Sequence, residues 1–167
     1  RHAAMTDLES PTLLYVGRVA VEKNLRAFLE CTHPGRKVVV GEGPAMVELR
    51  NAFPDALFIG KLAGEELAAA YRSADVFVFP SRTDTFGLVI IEAMASGLPV
   101  AAFPVTGPID IVTPETGGLH DDLNVAIAQA LRCDPAACRR HAANFSWRQS
   151  AEQFLSALAP VGGYAHS

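Results

Sequence analysis

Residues 74–100 read ADVFVFPSRTDTFGLVIIEAMASGLPV. The stretch opens with four β-branched or aromatic residues in a row, Val76-Phe77-Val78-Phe79. A turn-forming string runs from Pro80 to Gly87 and leads into an apolar segment, Leu88 to Ser96, which stops at Gly97-Leu98-Pro99. A short unbroken apolar run between Pro and Gly predicts a strand covered on both faces. The following segment is apolar nearly all round and predicts a buried helix. Val100-Ala101-Ala102-Phe103 then returns to strand character. Strand, helix and strand in that order form a βαβ unit, which requires parallel pairing.

The same rhythm extends outward. Leu13-Leu14-Tyr15-Val16, Val38-Val39-Val40 and Leu57-Phe58-Ile59 are further short apolar runs. Between them Leu25, Phe28 and Leu29, and then Leu67, Ala70, Tyr71 and Ala74, fall at helical spacing. Beyond residue 120 strands are no longer expected. Asn124 to Arg132 and Pro135 to Ala143 read as helices, and a last helix starts at Ser146, boxed by Gln149. Its apolar stripe is Trp147, Ala151, Phe154, Leu155 and Leu158, a packing surface. The expectation is an α/β fold with a doubly wound, Rossmann-like parallel sheet. It forms a single domain over residues 12–159, with a flexible start at 1–11 and a flexible tail at 160–167.

Composition limits the function. In 167 residues, 14 Lys and Arg stand against 18 Asp and Glu, a net charge of −4. Half of the residues are hydrophobic, which argues against disorder. The acidic balance argues against a nucleic-acid partner. No apolar run reaches the length of a membrane span. Cys31, Cys133 and Cys138 cannot all pair and show no zinc spacing, so a cytoplasmic setting is expected. The first residues, Arg1-His2, read as the start of a piece of a longer product.

Ligands of open parallel sheets bind at the carboxyl ends of the strands. Each apolar run here is followed by Gly, Pro or charge. Gly17-Arg18 and Glu22-Lys23-Asn24 follow the first, Gly41-Glu42-Gly43-Pro44 the second and Gly60-Lys61 the third. An Arg fork and a Lys point charge in one loop, Arg18 and Lys23, suit a diphosphate, although a solvated surface pair reads the same way. Asp84 or Thr85 can cap the helix that starts at Leu88, and the N–H groups of Phe86, Gly87 and Leu88 can meet an anion or sugar hydroxyls. Glu92 sits between Val89-Ile90-Ile91 and Ala93-Met94-Ala95 and is expected to be buried. A buried carboxylate needs a partner, either within the protein or among ligand hydroxyls such as those of a ribose. Gly41-x-Gly43 lacks the third glycine of a dinucleotide fingerprint, since Met46 stands there, and no Gly-Lys-Ser/Thr occurs. His120, His141 and Arg139-Arg140 read as surface residues.

Taken together, Gly17-Arg18, Glu22-Lys23-Asn24, Gly41-Glu42-Gly43-Pro44 and the run from Ala74-Asp75 to Pro99-Val100 resemble the family-4, or group 1, retaining glycosyltransferases of the GT-B fold. The resemblance covers roughly residues 12–158 and falls on the carboxy-terminal, donor-binding half of that fold. It implies a nucleotide-diphosphate sugar, GDP- or UDP-linked, as donor substrate, with no cofactor and no metal. It implies catalytic roles for Asp84, Arg18 and Lys23: the two cations on the diphosphate, and Asp84 at the first position of the Glu-x7-Glu motif against the donor sugar. Gly17, Gly60, Thr85, Phe86, Gly87, Leu88 and Glu92 would complete the donor site, with Glu92 on the ribose and the segment after Gly60 facing the base. The partner implied is an amino-terminal domain carrying the acceptor site, without which this domain is expected to be inactive. The string from Pro80 to Gly87 is similar to members acting on lipid acceptors, mannosyl and sulfoquinovosyl transferases among them, so a lipid or glycan acceptor and a periphery-of-membrane location follow. Asp84 departs from the commoner Glu by one methylene. Two other classes stay open: a non-catalytic nucleotide-sugar-binding module, and another GT-B enzyme such as a sugar-nucleotide epimerase.

Overall fold

A computed structural model describes residues 2–6, 10–83 and 88–145. The helix read from Ser146, with its Trp147 stripe, and the tail at 160–167 lie outside the described residues. Each apolar run forms a strand: β1 (Thr12–Val16), β2 (Arg36–Val40), β3 (Leu57–Gly60), β4 (Val76–Phe79) and β5 (Val100–Ala102). Between them lie α1 (Leu25–Leu29), α2 (Met46–Ala52), α3 (Gly64–Ser73) and α4 (Leu88–Ala95), then α5 (Pro108–Ile111) and α6 (Leu123–Ala130). A further helix, α7, runs from 135 to 145, the end of the described residues.

With a sixth strand, β6 (Gly117–Leu119), the strands pair in parallel in the order β3-β2-β1-β4-β5-β6. Alternate strand residues feed opposite faces. Leu14, Val38, Phe77, Phe79 and Val100 pack under α3, α4, α5 and α7 through Tyr71, Ile90, Met94, Ile111 and Cys138. Leu13, Tyr15, Val39, Val78 and Ala101 pack under α1, α2 and α6 through Phe28, Leu49 and Ile127. The sheet is therefore doubly wound, as the unbroken apolar runs require.

Three features depart from the sequence reading. The sixth strand, β6 (Gly117–Leu119), is not signalled by its Gly-Gly-Leu sequence. It exists because α6 and β5 approach it backbone to backbone: a Cβ on Gly117 would overlap the Val100 carbonyl oxygen, and one on Gly118 the Ala126 carbonyl oxygen. β3 is an edge strand and is half-buried throughout rather than covered on both faces. α4 is not buried all round. Ile90, Ile91, Ala93 and Met94 face the core, while Leu88, Glu92 and Ala95 form an exposed stripe at i, i+4 and i+7.

Asp75 belongs to the opposite end of the sheet from the candidate rim. Its carboxylate accepts from the Thr12 N–H at 2.7 Å and its own N–H donates to the Thr12 carbonyl at 2.9 Å, locking the start of β1 to β4.

At the carboxyl ends the loops continue the ladder beyond the strands. The Gly17 N–H donates to Val40 (3.0 Å), the Gly41 N–H to Gly60 (2.8 Å) and the Val19 N–H to Glu42 (3.0 Å). Gly41-x-Gly43 is the seam of this lacing: a Cβ on Gly41 would overlap the Gly17 carbonyl oxygen, and one on Gly43 the Val19 carbonyl oxygen. Gly41 also has a φ of +144°, a region that side chains rarely adopt. Gly41→Ala is expected to lower unfolding free energy by about 2–4 kcal/mol, read from the urea midpoint of the folded chain.

Candidate functional site

β1 and β4 are neighbours, yet the chain leaves β1 toward β2 and β4 toward β5. The loops after these two strands diverge and open a crevice at the switch point. Its volume is about 460 Å³, and its walls include Gly17, Arg18, Glu22, Lys23, Phe79, Ser81, Leu88 and Val89. A second cavity of about 670 Å³ adjoins it, lined by Val40, Gly41 to Pro44, Lys61 and Leu62, with Val16, Gly17 and Arg18 shared between the two. Arg18 thus stands between the two cavities. The largest cavity among those described, about 750 Å³, lies beside β6 and α7 and involves none of the rim residues.

The first βα loop is held from several sides. The Tyr15 hydroxyl, 3% exposed, donates to the Arg18 carbonyl at 2.8 Å. A 3-10 turn, Val21–Lys23, ends at Asn24, whose φ of 59° and ψ of 34° are left-handed. Asn tolerates that region better than other side chains. The Asn24 amide then donates to the Pro80 carbonyl at 3.0 Å, tying this loop to the end of β4 across the crevice. Lys23 is half-buried beside this tie. The Arg18 guanidinium is 3.9 Å from the Glu22 carboxylate, with side chains 63% and 59% exposed. An exposed pair at that distance contributes little, so the guanidinium can exchange Glu22 for a stronger anion. On the far side of β4, the Arg82 guanidinium stacks over the Phe103 ring at 3.8 Å from its centroid, joining the loops after β4 and β5.

The crevice therefore brings together Gly17, Arg18, Lys23 and Leu88. Gly60 closes β3 beneath the second cavity, and Lys61 and Leu62 line it. Leu88 is 53% exposed where α4 begins. Asp84, Thr85, Phe86 and Gly87 lie outside the described residues.

Glu92 corrects the sequence reading. It is exposed, not buried, one turn along α4 from Leu88, or about 6 Å along the helix axis. Apolar neighbours in sequence do not bury a helical residue when the stripe at i±4 points outward, and here that stripe starts at the crevice. The Glu92 carboxylate accepts from the Tyr71 hydroxyl at 3.3 Å. Burial, and then the nearby Glu92 charge, push the Tyr71 hydroxyl well above its ordinary pKa and keep it a donor.

The remaining singled-out residues stand apart from the crevice. All three cysteines are free. Burial raises Cys31 and Cys133, and raises Cys138 to about 11, so the thiols stay protonated near neutrality. His120 is exposed, but His141 is half-buried and donates through Nε2 to the Ile111 carbonyl at 2.7 Å, clamping α7 to α5. Among the described residues no helix is long and apolar enough to cross a membrane.

The family model of glycosyl transferases group 1 matches residues 10–133. The chain belongs to the group 1 glycosyltransferases. The GDP-mannose-dependent alpha-mannosyltransferase of Mycolicibacterium smegmatis is 44% identical over 116 residues, covering 68% of this chain and 31% of that protein. The sulfoquinovosyl transferase SQD2 of Arabidopsis thaliana is 42% identical over 115 residues, covering 66% of this chain and 22% of that protein. Among solved structures, HepE of Anabaena in complex with UDP and glucose shares the fold, with a TM-score of 0.65 at 18% identity over 89% of this chain and 48% of its own. The chain thus spans between a fifth and a half of the length of these glycosyltransferases.

Sequence reasoning gave Tyr15 and Tyr71 no place in this site, and quoted Asn24 only within Glu22-Lys23-Asn24, with no role of its own. Tyr15 and Tyr71 looked like ordinary core positions, and no sequence signal separates their hydroxyls from their rings. Asn24 carried a readable signal, an Asn closing a short loop where a left-handed residue fits. Asn24→Ala is expected to cost about 1–3 kcal/mol of stability through loss of the left-handed preference and of the bond to Pro80. Asn24→Gly should cost less, and urea unfolding of both variants separates the two contributions.

Proposed function

We propose that this domain binds the nucleotide diphosphate of a sugar donor at the β1–β4 switch point and forms the donor half of a retaining glycosyltransferase. The observation that carries the reading is the convergence of Arg18 and Lys23 on a crevice whose far wall is the start of α4. Breaking the bond between the anomeric carbon and phosphate oxygen leaves the electron pair on the oxygen and turns the donor's diphosphate dianion into a nucleoside diphosphate trianion. Arg18 and Lys23 stabilise the charge that builds there, and the N–H groups at the start of α4 add their dipole. In this reading two cations perform this task without a metal. Asp84 would contact the donor sugar, Glu92 accepts from the ribose, and the second cavity takes the base between Val16, Val40 and Leu62. Retention requires the acceptor to attack from the face that the leaving group departs.

The mannosyltransferase relative is named for GDP-mannose and the HepE structure holds UDP and glucose, which supports a GDP- or UDP-linked hexose as donor. The acceptor in this reading is a lipid or glycan, as the family resemblance implies, met in the cytoplasm at the periphery of the membrane. In this reading the acceptor binds to a separate amino-terminal domain. These 167 residues alone are then expected to bind nucleotide without transferring sugar. Robust transfer by this chain in a radiolabelled-donor assay would refute the division of labour.

The direct test is calorimetric titration of the chain with GDP, UDP and ADP. One nucleotide is expected to bind, and Arg18→Ala or Lys23→Ala each to weaken it about ten- to a hundredfold by loss of a charge-assisted contact. Equal affinity in both folded variants would move the diphosphate out of the crevice.

A further inference from the structure

The exposed Glu92 has a partner that the packing of the core does not explain. Tyr71 lies near the end of α3, 4% exposed, with its ring against Phe77 at 6.1 Å between centroids. A phenylalanine would fill that place and make the same ring contact. The hydroxyl instead reaches out of the core to the outward stripe of α4 and ends 3.3 Å from Glu92 Oε2. Among the described residues Glu92 is its hydrogen-bond partner. The hydroxyl stays protonated through burial and the adjacent carboxylate, so it donates across the whole neutral range.

We propose that Tyr71 is a positioning residue for the donor site: its hydroxyl holds Glu92 by Oε2 in one conformation and leaves Oε1 to accept from the ribose diol. The proposal rests on the assignment of Glu92 to the ribose. An exposed Glu on a helix samples several rotamers, and each must be given up when a ligand binds. A buried donor that selects one rotamer in advance removes that cost from binding. The Tyr71 ring is fixed by Phe77 and by α3, so the donor is rigid where the acceptor is not. A carboxylate with one oxygen engaged also presents its remaining acceptor in a defined direction.

The role is read from sugar selectivity. The whole chain is titrated calorimetrically with GDP and UDP and with their 2′-deoxy and 3′-deoxy counterparts. Wild type should prefer the ribonucleotide, and Glu92→Ala should erase that preference. Tyr71→Phe should lower ribonucleotide affinity about three- to tenfold, the worth of one hydrogen bond, and leave the deoxynucleotides unchanged. In the Glu92→Ala background Tyr71→Phe should change nothing. Tyr71→Leu also removes the hydroxyl and replaces Tyr71→Phe if the latter fails to fold. A Tyr71 variant that weakens ribo- and deoxynucleotides alike, or keeps the ribose preference, overturns the proposal and returns Tyr71 to packing, while the loss of preference in Glu92→Ala still supports the ribose contact. A preference that survives Glu92→Ala overturns the ribose contact itself, and failure of wild type to bind any nucleotide overturns the donor site; the Tyr71 proposal falls with either.

Discussion

A parallel sheet covered on both faces leaves a protein one good place to meet a ligand. The apolar side chains of β1, β2, β4 and β5 are taken by the helix layers, with Leu14 and Phe77 on one side and Leu13 and Val78 on the other. The loops at the strand ends are what remain. Among them the gap between β1 and β4 is special, because the chain turns in opposite directions on leaving these two neighbours. Most of the site follows from this constraint. Arg18 and Lys23 reach the crevice because their loop follows β1, and α4 points its first turn at the crevice because it follows β4.

The crevice keeps its shape through backbone contacts more than through side chains. Gly17, Gly41 and Gly60 carry the ladder past the strand ends, and the absence of Cβ atoms at Gly41 and Gly43 lets the first two loops touch. Tyr15 pins Arg18 from below, and Asn24 ties the first loop to Pro80. The Arg18 guanidinium makes an exposed ion pair with Glu22. A rigid frame with a loosely engaged guanidinium suits anion binding, since little is given up when another anion replaces Glu22.

Much of the fold was legible in the residues. Five of the six described strands matched short apolar runs, because strands inside a parallel sheet are covered on both faces and read as near-continuous apolar runs, and the edge strand β3 keeps enough contact with the helix layers to read the same way. β6 escaped because its glycines answer to α6 and β5, which are distant in sequence. Glu92 misled for a related reason: apolar neighbours at i±1 to i±3 say that a helix is buried somewhere, whereas exposure depends on which stripe the rest of the domain covers. The half-burial of His141 likewise comes from α5, thirty residues away in sequence.

The sequence by itself determined the layer architecture, the family, and the residue types at the rim, since apolar period, Gly and Pro punctuation and charge are local properties of the chain. Tertiary structure alone decided the rest. It set the strand order that makes β1 and β4 neighbours, turned Gly41-x-Gly43 into a backbone seam, put Asn24 against Pro80, and brought the Tyr71 hydroxyl to Glu92. Each of these joins residues separated by twenty or more positions in the chain. Such contacts depend on how helices and strands pack in three dimensions, and no periodicity along one element encodes them.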